Sequence, residues 1–409
     1  MNNWTFSWNG LKTVVGLELR QRARSKRWIA ALIAWMLFIG GITALIYFSI
    51  FQMATESGTK DPWGTVAPVS FGVITYFVLG MGLVIAPAFT ATSINGDRNQ
   101  STLATIQATP LSALEIVLGK LIAAWGVAGI FMVAALPFIA ISMIIGQNWA
   151  VSLWQVLVCF LVVCLEVAVV CGIGLGMSAL FSRPAGSAVM TYLAVVALTI
   201  ISALLLAFLS PFVTAMEPYR SYDQAWEEDT GESLTQVNPE TGRTEPQCRW
   251  SSYESYTYHM ERIWWVVAVN PFVIVADAAP LPPGASDDLG NYVSSSDDPL
   301  ALLRAGVRSM AEYRPNTWDT CIDYYDYYDE YSLYQRHIAA DGTVTITTKK
   351  DPNTVVYTSP VKEVPLQAGP PVWPWGLGFN ILLGFFFFWL AVRRLSIPYK
   401  KLPKGTRVA

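Results

Sequence analysis

Arg20-Gln21-Arg22-Ala23-Arg24-Ser25-Lys26-Arg27 runs without a break into Trp28-Ile29-Ala30-Ala31-Leu32-Ile33-Ala34-Trp35-Met36-Leu37-Phe38-Ile39-Gly40-Gly41-Ile42-Thr43-Ala44-Leu45-Ile46-Tyr47-Phe48-Ser49-Ile50-Phe51. The second part holds no charge and exceeds the roughly 20 apolar residues that cross a hydrocarbon core as a helix. It is longer than the apolar core of a secretory signal, roughly 7–15 residues, and it starts late in the chain. A retained first span is therefore expected. Lys and Arg near span ends stay on the cytoplasmic side, so Lys12, Arg20, Arg22, Arg24, Lys26 and Arg27 place the start of the chain inside.

Five further runs have the same character: 66–92, 116–145, 151–181, 188–213 and 373–392. Across the 409 residues 53% are hydrophobic and 14% charged, against about 25% charged in soluble domains. Arg393, Arg394, Lys400, Lys401, Lys404 and Arg407 follow the last run and place the end of the chain inside as well. Arg98 and Arg183 fall inside under the same count. Two inside termini require an even number of spans. That parity excludes the run at 263–279, which Asn270 and Pro271 interrupt, as a seventh crossing. It is expected as a re-entrant-like segment, because non-helical backbone at membrane depth persists only where protein shields it.

The expected fold is mainly α: a polytopic membrane protein with six transmembrane helices and both termini cytoplasmic. An N-terminal interfacial amphipathic helix covers 1–27, with Trp4, Trp8, Leu11, Val15 and Leu19 on one face. Spans one to five fill 28–213 and include a cytoplasmic loop at 95–120. A small α+β extracellular domain covers 214–372, between spans five and six. Span six covers 373–394, and a basic tail covers 395–409.

The extracellular domain holds 24 acidic and 11 basic residues. Cys248 and Cys321 are the only cysteines in it; in an oxidising compartment such a pair reads as a disulfide. Asp298-Pro299 is a helix start, with Leu300, Leu303, Val307 and Met310 on one face. Val344 and Ile346, then Val355 and Tyr357, read as a β-hairpin around 349–353, and 284–298 as a loop. The Tyr- and Asp-rich stretch 323–331 reads as a solvated acidic surface, since its spacing fits no calcium loop of the EF-hand kind. With two histidines in the chain, His259 and His337, no cluster suggests zinc, and no metal site is expected.

Within the spans, Glu166 is the one deeply placed acidic residue. Ionisable groups there are costly and mark functional candidates, to meet a polar or cationic cargo or to hold a proton; a hydrogen-bonded structural role is the alternative. Gly172, Gly174 and Gly176 read as a close-packing stripe. Gly80, Gly82 and Pro87 mark a site of close approach or kinking in span two.

The cytoplasmic loop reads Asp97-Arg98-Asn99-Gln100-Ser101-Thr102-Leu103-Ala104-Thr105-Ile106-Gln107-Ala108-Thr109-Pro110-Leu111-Ser112, then Glu115-Ile116-Val117-Leu118-Gly119-Lys120. By pattern it is a charged turn, a short amphipathic helix, a proline break and a return into the bilayer. It resembles the permease subunits of type-2 ABC exporters, with the type V, ABCG-like fold. There the segment runs Glu-Arg-x-x-Gly-Thr-Leu, then Thr-Pro-Leu-Ser, then Ile-x-x-Gly-Lys. Arg98, Thr102, Leu103, Thr109, Pro110, Leu111, Ser112, Ile116, Gly119 and Lys120 match; Asp97 stands for the Glu and Ser101 for the Gly. Glu18-Leu19-Arg20 and Asn270-Pro271-Phe272 also resemble that family, whereas 217–262 and 280–371 do not.

The resemblance implies that Asp97, Arg98, Thr102, Leu103, Thr109, Pro110 and Leu111 couple the chain to a nucleotide-binding ATPase subunit. It implies a second permease copy, identical or homologous, since one six-span chain is half a transporter. The sequence has no phosphate loop of the form Gly-x-x-x-x-Gly-Lys-Ser/Thr, so ATP and Mg are expected in the partner ATPase and no cofactor in this chain. Membrane lipids are expected partners and nucleic acid is not; the expected location is the cytoplasmic membrane of a bacterium. The cargo stays open among lipids, hydrophobic drugs and peptides. Two other classes remain: a membrane-embedded enzyme, for which the spans offer only Glu166, and a sensor or assembly factor working through its external domain.

Overall fold

A computed structural model describes residues 6–23, 26–57, 63–99, 111–145, 153–226, 234–237, 244–280, 298–313, 316–321, 334–339, 343–348, 351–361 and 369–395. Among them six helices are long and apolar enough to cross a membrane: Trp28–Gln52, Val66–Asn99, Ala113–Ile144, Leu153–Leu180, Pro184–Val213 and Trp373–Leu395. These are the six spans expected from the hydropathy. The chain is mainly helical, with a small sheet domain after span five.

Helix α1 (Trp8–Ala23) precedes span one, α2 (Lys26–Ser57). Span two is α3 (Trp63–Thr90), followed after a two-residue turn by α4 (Ser93–Asn99). Pro68 lies inside α3. One expectation changes here. Asp97 and Arg98 lie in a helix rather than a turn, because two serine hydroxyls hold that helix in place, as described below.

Span three is α5 (Ala113–Ile145) and span four α6 (Leu153–Leu180). Span five starts as α7 (Pro184–Val196), passes through a π-helical turn (Ala197–Ile201), and resumes as α8 (Ser202–Leu209). Span six is α12 (Trp373–Leu395).

Span four is the hub of the bundle; it packs on spans two, three, five and six. Its glycines explain why. A Cβ on Gly172 would lie 2.8 Å from the carbonyl oxygen of Gly384, one on Gly176 2.6 Å from Phe387 Cβ, and one on Gly174 2.0 Å from Thr90 Oγ1. Gly82 repeats the pattern from span two, 2.6 Å from Val167 Cγ2. Lipid tails are as apolar as leucine, so helices associate by such close packing and by polar ties rather than by hydrophobic exclusion. Indole and phenol groups supply ties: Trp35 Nε1 donates to Phe131 O, Trp125 Nε1 to Cys164 O and Tyr192 OH to Val84 O. Spans one and five are peripheral and leave large side chains such as Leu37, Leu45, Leu204 and Phe208 exposed.

At the far end of span five the helix passes through a short 3₁₀ turn (Ser210–Val213) straight into strand β1 (Thr214–Gln224). β1 pairs along its length with antiparallel β4 (Cys248–Tyr258) and briefly with parallel β5 (Thr317–Asp319). β2 (Thr235–Val237) and β3 (Thr244–Pro246) form a small hairpin between them. A second sheet holds β6 (Tyr334–Ile338), β7 (Val344–Thr348) and β8 (Asp351–Thr358). Its β7–β8 pairing sets Ile346 opposite Tyr357, in agreement with the expected hairpin.

A Cys248–Cys321 disulfide ties β4 to the end of β5. Asp319 gathers the two sheets, accepting hydrogen bonds from Tyr357, Ser359 and the Cys321 amide. Burial works against ionisation of Asp223, but hydrogen bonds from Ser221, Ser251 and Thr320 hold its carboxyl below the usual range.

The run at 263–279 is not one continuous helix. It is a turn of helix, α9 (Trp265–Ala268), a break at Asn270–Pro271, and α10 (Pro271–Ala278). The expected helix after Asp298 is α11 (Pro299–Ala311), with the Asp298 side chain accepting from the Leu300 amide. Burial pushes the Asp298 carboxyl up. The stretches 284–297 and 323–331 lie outside the described residues.

Candidate functional site

Two polar centres stand out in an otherwise apolar bundle. The first is at the basic end, where α1, α4 and the start of span three meet. Lys120 Nζ is 2.6 Å from Glu18 Oε1 and 2.7 Å from Asp97 Oδ2, and its side chain is 3% exposed. One ammonium thus holds a carboxylate of the N-terminal helix and one of the loop.

A few residues away, Ser112 and Glu115 form a capping box at the start of span three. The Ser112 hydroxyl accepts the Glu115 amide at 3.2 Å, and Glu115 Oε2 accepts the Ser112 amide at 2.8 Å. The other oxygen of the same carboxylate accepts the Ser7 amide at 2.6 Å, at the start of α1. Glu115 therefore caps two helices. Gly10 and Gly119 permit the contact: a Cβ on Gly10 would lie 2.9 Å from Leu111 Cδ2, and one on Gly119 2.5 Å from Val14 Cγ1.

The stripe of α1 that faces the bundle is Leu11, Val14 and Glu18, while Trp8 and Leu19 are exposed. The face expected from Trp4, Trp8, Leu11, Val15 and Leu19 is thus divided. Its inner edge packs on span three and its aromatic edge is left free; Trp4 is outside the described residues.

On the other side α4 is clamped to the span four–five turn. The Ser178 hydroxyl accepts the amides of Ile94 and Asn95, and the Asn95 side chain donates to the Ser187 hydroxyl at 2.7 Å. Of the residues expected to couple, Asp97, Arg98 and Leu111 sit at this corner. Thr102, Leu103, Thr109 and Pro110 lie outside the described residues. Lys120, Glu18 and Glu115 were visible in sequence as motif or flanking residues. Nothing in their spacing linked Lys120 to Glu18, 102 positions away.

The second centre is at Glu166 in mid-span four. Asn380 of span six donates through Nδ2 to Glu166 Oε2 at 3.0 Å and to the carbonyl of Val269 at 3.1 Å. Val269 sits at the helix break, at the C-terminal end of α9. Asn270 completes the arrangement. Its Oδ1 caps α10 by accepting the Phe272 amide, and its Nδ2 donates to Thr199 O at 2.8 Å and Ser202 Oγ at 3.1 Å. Thr199 lies in the π-helical turn of span five, where the altered ladder frees a carbonyl.

Asn270 thus ties the broken segment to span five, and the Val269 carbonyl ties it to span six. Phe272 packs on Tyr76 of span two. Glu166 and Asn380 are fully buried, with Glu166 Oε1 and Asn380 Oδ1 lacking a hydrogen-bond partner among the described residues.

Replacing Glu166 by Gln is expected to leave assembly intact, because the amide oxygen still accepts from Asn380. Glu166→Leu strands the Asn380 donor and is expected to cost about 1–3 kcal/mol. Thermal unfolding of the two purified variants separates these outcomes; equal losses would contradict the hydrogen-bonding role.

Between spans two, three and four a cavity of about 30 Å³ is lined by Phe71, Thr75, Met132, Cys159 and Phe160. Pockets that hold drug-sized ligands take roughly 300–1,000 Å³. Among the described residues no group of His, Cys, Asp and Glu side chains is arranged to hold a metal ion.

A family model described as ABC-2 family transporter protein matches residues 12–275. No curated protein matches the chain. The matched range takes in most of α1, spans one to five, most of the basic-end corner, Glu166 and the broken segment into α10.

Proposed function

The chain belongs to the ABC-2 transporter family, and from that premise we propose that this ABC permease works outward, as the membrane half of an ATP-driven exporter. In this reading a separate nucleotide-binding subunit docks at 97–112 and holds the ATP and Mg. A second permease copy completes the path, and the basic end faces the cytoplasm of a bacterial cell. The chain is a transport subunit rather than an enzyme.

One observation supports the docking site above others: Lys120 joins Asp97 of α4 to Glu18 of α1 at the root of span three. Glu115 adds the capping contacts to Ser7 and Ser112. A push on the loop therefore reaches spans two and three through short polar links rather than through a slack connection. The cargo is a lipid, a hydrophobic drug or a peptide.

Affinity purification of the chain from native membranes in mild detergent tests this reading. A phosphate-loop ATPase should co-purify in stoichiometric amount, and its hydrolysis should rise on reconstitution with the chain. Purification of the chain free of any ATPase, with no effect on a candidate ATPase encoded beside it, would sink it.

A further inference from the structure

Charge at the basic end is far out of balance. Residues 1–27, 93–120, 182–187 and 390–409 hold fifteen basic side chains and three acidic ones, Glu18, Asp97 and Glu115. All three acids are engaged. Glu18 and Asp97 hold Lys120, and Glu115 holds the Ser7 and Ser112 amides. No further acidic side chain in these stretches is left for the arginines at the span ends.

Two of those arginines come together from distant parts of the chain. Spans two and six end at Asn99 and Leu395, and Arg98 and Arg394 stand one residue before those ends. One buried apolar cluster fixes the two ends side by side, since Ile94 of α4 shares it with Ala391, Val392 and Leu395 of span six. Arg98 is one turn beyond Ile94 and on the same face of α4. The charges of Arg98 and Arg394 are close enough to repel each other. Arg98 is half-buried and Arg394 exposed, and neither has an ion pair among the described residues. Arg393 is engaged elsewhere, its Cζ lying 5.2 Å from the centre of the Trp389 ring.

Charges taken partly out of water are costly unless they are paired, and two like charges side by side call for an anion between them. Guanidinium is planar and presents its donors in a fork that matches phosphate. The pair is flush with the ends of two helices long enough to cross a membrane, the depth at which lipid headgroups lie. Trp389, which also stacks with Phe386 at 6.4 Å, is the kind of residue that favours that depth. Basic pockets between membrane helices bind anionic headgroups. We propose that Arg98 and Arg394 form a headgroup site for an anionic phospholipid of the leaflet at the basic end, with one phosphate bridging the two guanidiniums. The lipid is then a third tie on α4, next to Ser178 and Lys120. Arg98 serves the membrane side of the corner, beside the surface offered to an ATPase rather than within it.

Full-length chain, purified free of ATPase and delipidated in mild detergent, is titrated with phosphatidylglycerol or phosphatidylcholine, and bound lipid is counted by native mass spectrometry. The unaltered chain should hold one phosphatidylglycerol about tenfold more tightly than phosphatidylcholine. Arg98→Gln and Arg394→Gln should each weaken phosphatidylglycerol binding about fivefold, the effect of one basic side chain near a membrane surface. Arg183→Gln removes a charge of the same end from the span four–five turn and should change binding by less than about twofold. Arg98→Lys with Arg394→Lys keeps both charges and should keep most of the preference.

Equal losses from the three Gln variants would mean diffuse attraction to the whole basic end. Displacement of the lipid by inorganic phosphate would mean a site for the free ion. Either result overturns the proposal. So does a chain with no preference for phosphatidylglycerol; if Arg394→Gln then weakens co-purification of an ATPase, the pair serves an acidic protein surface instead. The lipid titration contains no ATPase, so its failure and the failure of the docking reading are separate results.

Discussion

Lys120→Met should loosen the basic end more than any other single substitution there. Methionine matches the length of lysine and suits an apolar helix face, so packing is largely kept. What is lost is the cation between Glu18 and Asp97, whose side chains are 11% and 25% exposed. Two carboxylates then face each other with little water to screen them. Breaking a buried ion pair by removing one partner costs about 3–5 kcal/mol. The lower value, about 3 kcal/mol, suits this partly accessible site. The expected result is release of α1 from span three, read as rapid proteolysis of the first residues while the spans stay folded. Lys120→Met with Glu18→Gln and Asp97→Asn should recover most of the loss, since no unpaired charge remains. Failure of that triple variant to recover would assign the effect to packing instead.

Gly376→Ala should be the most damaging small substitution at the other end. An alanine Cβ there would lie 1.8 Å from the carbonyl oxygen of Ala268 and 2.9 Å from Ile274 Cγ1. The first atom is backbone at the end of α9 and cannot swing aside as a side chain can. The segment must shift, and with it the Val269 carbonyl that Asn380 holds. Overpacking in a filled core costs about 1–3 kcal/mol and more where backbone moves; about 3 kcal/mol is expected. Gly378→Ala is the control. Its Cβ meets open space, so the change should be neutral or stabilising by up to about 1 kcal/mol. Thermal unfolding of the two variants in one detergent checks the contrast. Equal behaviour would mean that the broken segment is not packed against span six as described.

The spans were legible because hydrophobic length is a local property of sequence, and so were the Asp298–Pro299 cap and the β7–β8 hairpin. Glu166 was legible as an oddity but its partner was not. Asn380 lies 214 positions away, and one asparagine in an apolar run has many possible neighbours. The break at Asn270–Pro271 was plain in sequence, whereas its acceptor required the π-helical turn at Ala197–Ile201, within an unbroken apolar run. The β1–β4 ribbon was missed. β1 starts without a turn signal directly after span five, and Pro218 interrupts it. Its pairing, Tyr219 opposite Tyr253 and Tyr222 opposite Trp250, shows only when two distant stretches are aligned. At the basic end the motif residues could be named, but the charge that unites them, Lys120, was one match among ten.

We propose that an ATPase subunit docks at the corner built on Lys120. Photo-crosslinking tests it most directly, with a photoreactive amino acid placed at Leu111 and, separately, at Trp318 on the opposite, sheet end. In cells, the Leu111 probe should capture a phosphate-loop ATPase and the Trp318 probe should not. Capture from Trp318, or none from Leu111 while the ATPase is present and the chain is folded, would contradict it.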